Sequence, residues 1–306
     1  MSGARSGHLI ERAVERMAEL GTLPAGGSPA AAIEEAARPA DRRPPPPAAP
    51  PAAPAASSAA PAVGLAALEA AGLAVAGARR SRVAEEWRVI AGQLLRTLRA
   101  LPPRRGGGAG ALPNLLMVTS AKPKEGKSFA ALNLAGSLAL GSLAEVLLLD
   151  IDSKPGALSA ILGLGDRRGL FDLVADPPPQ PEELVLATAI PGLGILPIGC
   201  AAAGGPEAVE RTVTRPVVAA IERLARHFPN RVLILDTAPC LATSDASTLA
   251  PAVDQIAMIV EAERTQRDDL EAALELLRPC PNITLVLNKV RVVTANAFGD
   301  YHYYDA

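Results

Sequence analysis

A chain of 306 residues with a net charge of −2 and an isoelectric point near 6.0 gives no global electrostatic reason to expect a nucleic-acid partner. Of its 29 prolines and 26 glycines, many crowd into the first third, above all from Pro44 to Pro61, which leaves roughly 200 residues to build a core. Cys200, Cys240 and Cys280 are far apart without metal-type spacing, and His8, His227 and His302 are equally scattered, so reduced thiols and no zinc site are expected. No apolar run approaches the roughly 20 residues that span a bilayer, and the first residues lack a signal-peptide core. The expectation is a cytoplasmic chain with no direct membrane span, peripheral to the inner membrane through a partner.

In chain order, residues 1–20 contain an amphipathic stretch, His8 to Leu20, whose Leu9, Ile10, Val14, Met17 and Leu20 share one helical stripe. It is too short to be stable alone and reads as a docking helix. Residues 21–63 are an Ala- and Pro-rich linker that buries nothing and extends on the order of 100 Å. Residues 64–112 are a helical extension with Trp87, the one tryptophan, on a face with Ile90, Leu94 and Leu98, closed by a Pro- and Gly-rich stop.

Residues 113–292 alternate buried strands and helices, which predicts an α/β fold with a doubly wound, mostly parallel sheet. The apolar run Leu115 to Val118 breaks into Ala121-Lys122-Pro123-Lys124-Glu125-Gly126-Lys127-Ser128 and then into a helix. This fits the phosphate-loop pattern G-x-x-x-x-G-K-[ST] with Ala121 in place of the first glycine. Such a loop turns backbone N–H groups around a polyphosphate, places a lysine on the β- and γ-phosphates and a hydroxyl on Mg²⁺. The candidate nucleotide-binding residues are Lys122 through Phe129. A second buried run ends at Asp150 and Asp152, followed by Lys154, and a third closes on Asp236. Carboxylates at the C-terminal edge of a parallel sheet lie where ligands bind. Ser128, Asp150, Asp152 and Asp236 are therefore the candidate Mg²⁺ ligands, with Lys127 facing them. Asn288-Lys289 resembles a guanine-reading N-K-x-D, but Arg291 replaces the aspartate, which favours ATP, with Asn288 as a candidate contact.

Residues 293–306 form a tail holding all three tyrosines of the chain, Tyr301, Tyr303 and Tyr304. Terminal segments rarely join a core, so packing does not explain this concentration. The functional reading is that these phenols accept phosphate, each gaining close to two negative charges. Docking of the tail by aromatic anchors is the alternative.

From Ala84 onward the chain resembles the bacterial tyrosine autokinases of capsule and exopolysaccharide biosynthesis, in particular the separate cytoplasmic type associated with exosortase systems. The matching pieces are AEEWRVI, VTSAKPKEGKS, VLLLDIDSKPG, GLFDLV, GILPIG, NRVLILDTAP, SDASTLA, VDQIAMIVEAERT, VLNKV and the tyrosine-rich tail. The resemblance implies a P-loop NTPase fold of the partition and septum-site ATPase type, and protein-tyrosine kinase activity. It implies that Lys127 and Ser128 hold ATP and Mg²⁺, that Asp150 and Asp152 serve the metal and the acceptor phenol, that Lys154 stands in for a catalytic arginine, and that Asp236 supports the metal. It also implies a homo-oligomer in which one subunit's tail enters its neighbour, with contacts through Glu85 and Arg88, and a membrane chain-length regulator as activator. Four positions depart from the family pattern: Lys124 for a glycine, Lys154 for an arginine, Ala238 for a proline, and Ala91 for the third basic residue of the oligomerisation helix. Two other readings stay open, a non-kinase ATPase switch and a nucleotide-binding scaffold for a membrane polysaccharide-export partner.

Overall fold

Among the described residues, seven strands form one sheet in the order β3-β4-β2-β5-β1-β6-β7. Their ranges are β1 Leu115–Ser120, β2 Glu145–Asp150, β3 Leu186–Ala187, β4 Leu193–Leu196, β5 Arg231–Asp236, β6 Gln255–Glu261 and β7 Ile283–Asn288. The computed structural model describes residues 61–76, 81–102, 113–154, 156–199 and 213–291. The expected docking helix, nearly all of the linker, and the tail with Tyr301, Tyr303 and Tyr304 lie outside these residues.

Every pairing is parallel except the short β3 against β4. Continuous apolar runs make this arrangement possible, because a central parallel strand is covered on both faces. All six residues of β1 are buried. Its odd and even side chains feed different cores: Leu116 and Val118 join one cluster, while Leu115 and Met117 join the other. Eight helices flank the sheet among the described residues: α1 Leu65–Ala70, α2 Arg82–Ala100, α3 Lys127–Leu140, α4 Leu158–Ile161, α5 Pro181–Leu184, α6 Arg215–His227, α7 Asp245–Leu249 and α8 Arg267–Leu277. Side chains of α1, α2 and α3 fill the first core, and those of α6, α7 and α8 fill the second.

On α2 the expected apolar face is present. Trp87, Leu94 and Leu98 are buried together with Ala84, Ala91 and Leu95, and the Ser81 side chain caps the helix by accepting from the Ala84 N–H at 3.1 Å. The linker boundary differs from expectation. Val63, read as the end of a stretch that buries nothing, is 2% exposed and forms a parallel bridge to Thr188 beside β3. From there the chain runs through α1 to Leu73 and Val75, which rest on Gly136 of α3; a Cβ at Gly136 would meet them at 2.7 and 2.9 Å. Asn133 fixes this strap by accepting from the Ala74 N–H at 2.8 Å and donating to the Gly72 carbonyl at 2.9 Å.

Candidate nucleotide site

The C-terminal ends of β1, β5 and β2 lie side by side, and their pairing sets the site. Asp150 and Asp236 are register partners on β2 and β5, so their Cα atoms are about 4.8 Å apart. The loop after β1 opens beside them. Gly126 ends it at φ 99°, in the left-handed region, where a Cβ would also lie 2.2 Å from the Asn288 Nδ2. Only glycine meets both conditions. Lys127 and Ser128 then begin α3, aiming a helix N-terminus at the crevice.

Lys127 is the centre of charge. Its Nζ lies 2.7 Å from the Asp152 Oδ2, 4.0 Å from the Asp236 Oδ1 and 3.2 Å from the Ser128 Oγ. Burial alone pulls its pKa down, but Asp236, Asp152 and Asp150 together push it above the usual lysine value. Burial raises Asp236 to about 7 against the pull of Lys127, and it raises Asp150 to about 6 against hydrogen bonds from Ser159.

The three carboxylates are not equivalent. Both oxygens of Asp150 are engaged, accepting from the Asp152 N–H at 3.2 Å and the Ser159 N–H at 2.6 Å. Asp152 accepts from Lys127 and from the Lys154 N–H, the latter at 3.2 Å. Asp236 is fully buried and both of its oxygens lack a hydrogen-bond partner. A desolvated carboxylate without partners is costly, and a cation drawn in by a bound polyphosphate would offset that cost. Among the described residues no group of three or more His, Cys, Asp or Glu is arranged to hold a metal. The residues fit a Mg²⁺ held mainly by phosphate oxygens, with Ser128 and one or two carboxylates completing it. Asp150 instead ties the end of β2 to α4.

Several expected nucleotide contacts face elsewhere. The Phe129 ring packs edge-on against Trp87, 5.9 Å between centroids, and joins the helical layer. The Lys122 amine pairs with Asp269 of α8, and its N–H donates to the Glu125 Oε2 at 2.8 Å. Pro123 and Lys124 are exposed, and Lys124 sits at φ 70°. Glu125 is 3% exposed and also accepts the Thr265 hydroxyl proton. Asn288 donates to the Glu125 carbonyl at 2.9 Å, and the Lys289 Nζ donates to the Lys124 carbonyl at 2.6 Å. Both brace the loop from the end of β7. Glu85 and Arg88 form an i,i+3 ion pair on the surface of α2, whereas Ala91 is fully buried. Sequence reasoning missed Thr265 and Lys289, whose partners lie far away in the chain.

Sheet order, loop and lysine–carboxylate cluster define a protein of P-loop ATPase fold. No protein-family model matches the chain. Its curated relatives are bacterial tyrosine-protein kinases. It is 30% identical over 165 residues to EpsB of Ralstonia nicotianae, a protein named for tyrosine-protein kinase activity, covering 54% of this chain and 21% of EpsB. It is 26% identical over 193 residues to the tyrosine-protein kinase CpsD of Streptococcus agalactiae, covering 62% of this chain and 81% of CpsD. The chain thus spans about a fifth of the length of the EpsB relatives. Among solved structures, the VpsO kinase domain superposes with a TM-score of 0.51 at 26% identity, covering 69% of this chain and 98% of that one. No helix among the described residues is long and apolar enough to cross a membrane.

Proposed function

We propose that the chain is an ATP-dependent protein-tyrosine autokinase that phosphorylates Tyr301, Tyr303 and Tyr304 of a neighbouring copy and so regulates export or chain length of a capsule or exopolysaccharide. The observation that carries this reading is Lys127 facing a buried Asp236 at 4.0 Å, its carboxylate without a hydrogen bond, beside a preformed phosphate loop. Phosphoryl transfer is mostly positioning and charge stabilisation. Lys127 and the N-terminus of α3 would hold the β- and γ-phosphates, and Ser128 with Asp236 and Asp152 would hold Mg²⁺, which neutralises developing charge when bound. A tail phenol oxygen attacks the γ-phosphorus, the bond to the ADP oxygen breaks, and the phenol proton passes to the Asp152 Oδ2, which Lys127 holds at 2.7 Å until its ammonium turns to the phosphates. Lys154, two residues on, would add positive charge at the rim in the place of the family's arginine.

The relatives' names support the activity, and the family's habits support a membrane chain-length regulator as activating partner and a cytoplasmic location beside it. Incubation of full-length protein with Mg-ATP, followed by phosphopeptide mapping, tests the proposal. Phosphate on the three tail tyrosines of the wild type and none on Lys127→Ala is expected. An unmodified tail in the presence of the activator would refute it. A second reading, an ATPase switch without kinase activity, is favoured by one observation: Ala91, which replaces the third basic residue of the oligomerisation pattern, is buried rather than displayed. Release of inorganic phosphate with an unmodified tail would select that reading.

A further inference from the structure

Glu125 is an unusual residue to bury. A carboxylate is costly to strip of its hydration unless hydrogen bonds replace it, yet at 3% exposure this one lies inside the phosphate loop. One oxygen accepts from the Lys122 N–H and closes a turn within the loop; the other accepts from the Thr265 hydroxyl. Thr265 is itself oriented, because its oxygen accepts from the Glu261 N–H at 2.9 Å, which leaves its single proton for Glu125. The loop is gripped a second time by β7, through Asn288 on the Glu125 carbonyl and Lys289 on the Lys124 carbonyl. Between these grips Lys124 is held at φ 70° without being a glycine. Such a conformation is unfavourable for a residue with a Cβ and persists only where its surroundings fix it.

We propose that Thr265 is a positioning residue for nucleotide binding. Acting through Glu125, it holds the loop in its anion-receiving shape before any ligand arrives, so that ordering the loop does not subtract from affinity. The inference rests on the reading of this loop as a nucleotide site. Thr265 lies in the turn between β6 and α8, and its hydroxyl reaches the loop through the Glu125 carboxylate.

The test compares full-length wild type, Thr265→Val and Thr265→Ser. Valine keeps the shape and removes the hydroxyl; serine restores it. Without nucleotide, hydrogen exchange of the amides of Lys122 and residues 124–127 is expected to run roughly tenfold faster in the valine variant, with serine close to wild type. With Mg-ATP, calorimetry is expected to show binding roughly tenfold weaker for valine and within about twofold of wild type for serine, while turnover at saturating ATP changes by less than about twofold. Wild-type exchange and affinity in Thr265→Val would overturn the proposal. So would faster exchange spread across the sheet, which would make Thr265 a general stabiliser of the fold. If wild type binds no Mg-ATP while the valine variant still loosens only the loop, the brace stands and the nucleotide reading of the site falls.

Discussion

Replacing Asp236 by asparagine separates what the fold tolerates from what the site requires. An unfolded aspartate titrates near 3.9, and burial lifts Asp236 to about 7 in the folded chain. Between those values the folded state carries a proton that the unfolded state lacks. Stability therefore falls as pH rises from about 4 to about 7 and stays low above that. Lys127 is already included in the shift, so the sign is net. Three pH units at 1.36 kcal/mol each set a ceiling of about 4 kcal/mol on the penalty at pH 8. An asparagine carries no charge and lacks partners as the protonated carboxyl does, so the two differ little at low pH. Asp236→Asn is thus expected to be more stable than wild type at pH 8 by up to about 4 kcal/mol, with the gap narrowing to about a third by pH 5. Urea unfolding of the nucleotide-free proteins at both pH values measures this. Adding Mg-ATP should raise the melting temperature of wild type and leave the variant unmoved, since only ligand that binds the folded state stabilises it. A variant less stable than wild type at pH 8, or a gap that does not change with pH, would refute the reasoning.

Three further outcomes follow from backbone geometry. Gly126→Ala places a Cβ against Asn288 at a positive φ; it should cost about 2 kcal/mol in urea unfolding and abolish the Mg-ATP shift. Lys124→Gly removes a side chain from the left-handed region and should raise stability by about 1 kcal/mol, read as a higher urea midpoint. Gly136→Ala drives a methyl into Leu73 and Val75; a loss of about 1–3 kcal/mol is expected, with earlier protease cleavage in the strap before β1.

What the sequence made legible is what lies close together along the chain. Gly126, Lys127 and Ser128 occupy consecutive positions, and Asp150 and Asp236 each close an apolar run, so a strand-end reading brought them to one edge and β2–β5 pairing confirms their proximity. The loop's bracing was not legible. Thr265 meets Glu125 across 140 residues and Asn288 meets it across 163, and no local pattern encodes those partners. Asn288 was assigned to the nucleotide from a motif, whereas its amide serves the loop. Phe129 follows Ser128 directly in the sequence, but one residue along a helix turns a side chain by about 100°, enough to send the ring into the helical layer. The equivalence of three aspartates was a similar simplification, because only hydrogen-bond partners distinguish Asp236 from Asp150.

The strap that begins at Val63 has a mechanical consequence. Val63 is stitched between two neighbouring residues, donating to the Ala187 carbonyl at 3.2 Å and accepting from the Ala189 N–H at 2.9 Å. A pull along the residues before it would meet this pair at the margin of the sheet, with three strands between β3 and β1. It would load these two hydrogen bonds before reaching Gly72, where a Cβ would lie 3.1 Å from the Phe129 ring. The stitch would then act as a strain relief, as a cable clamp does, shielding the strap behind it until it gives way.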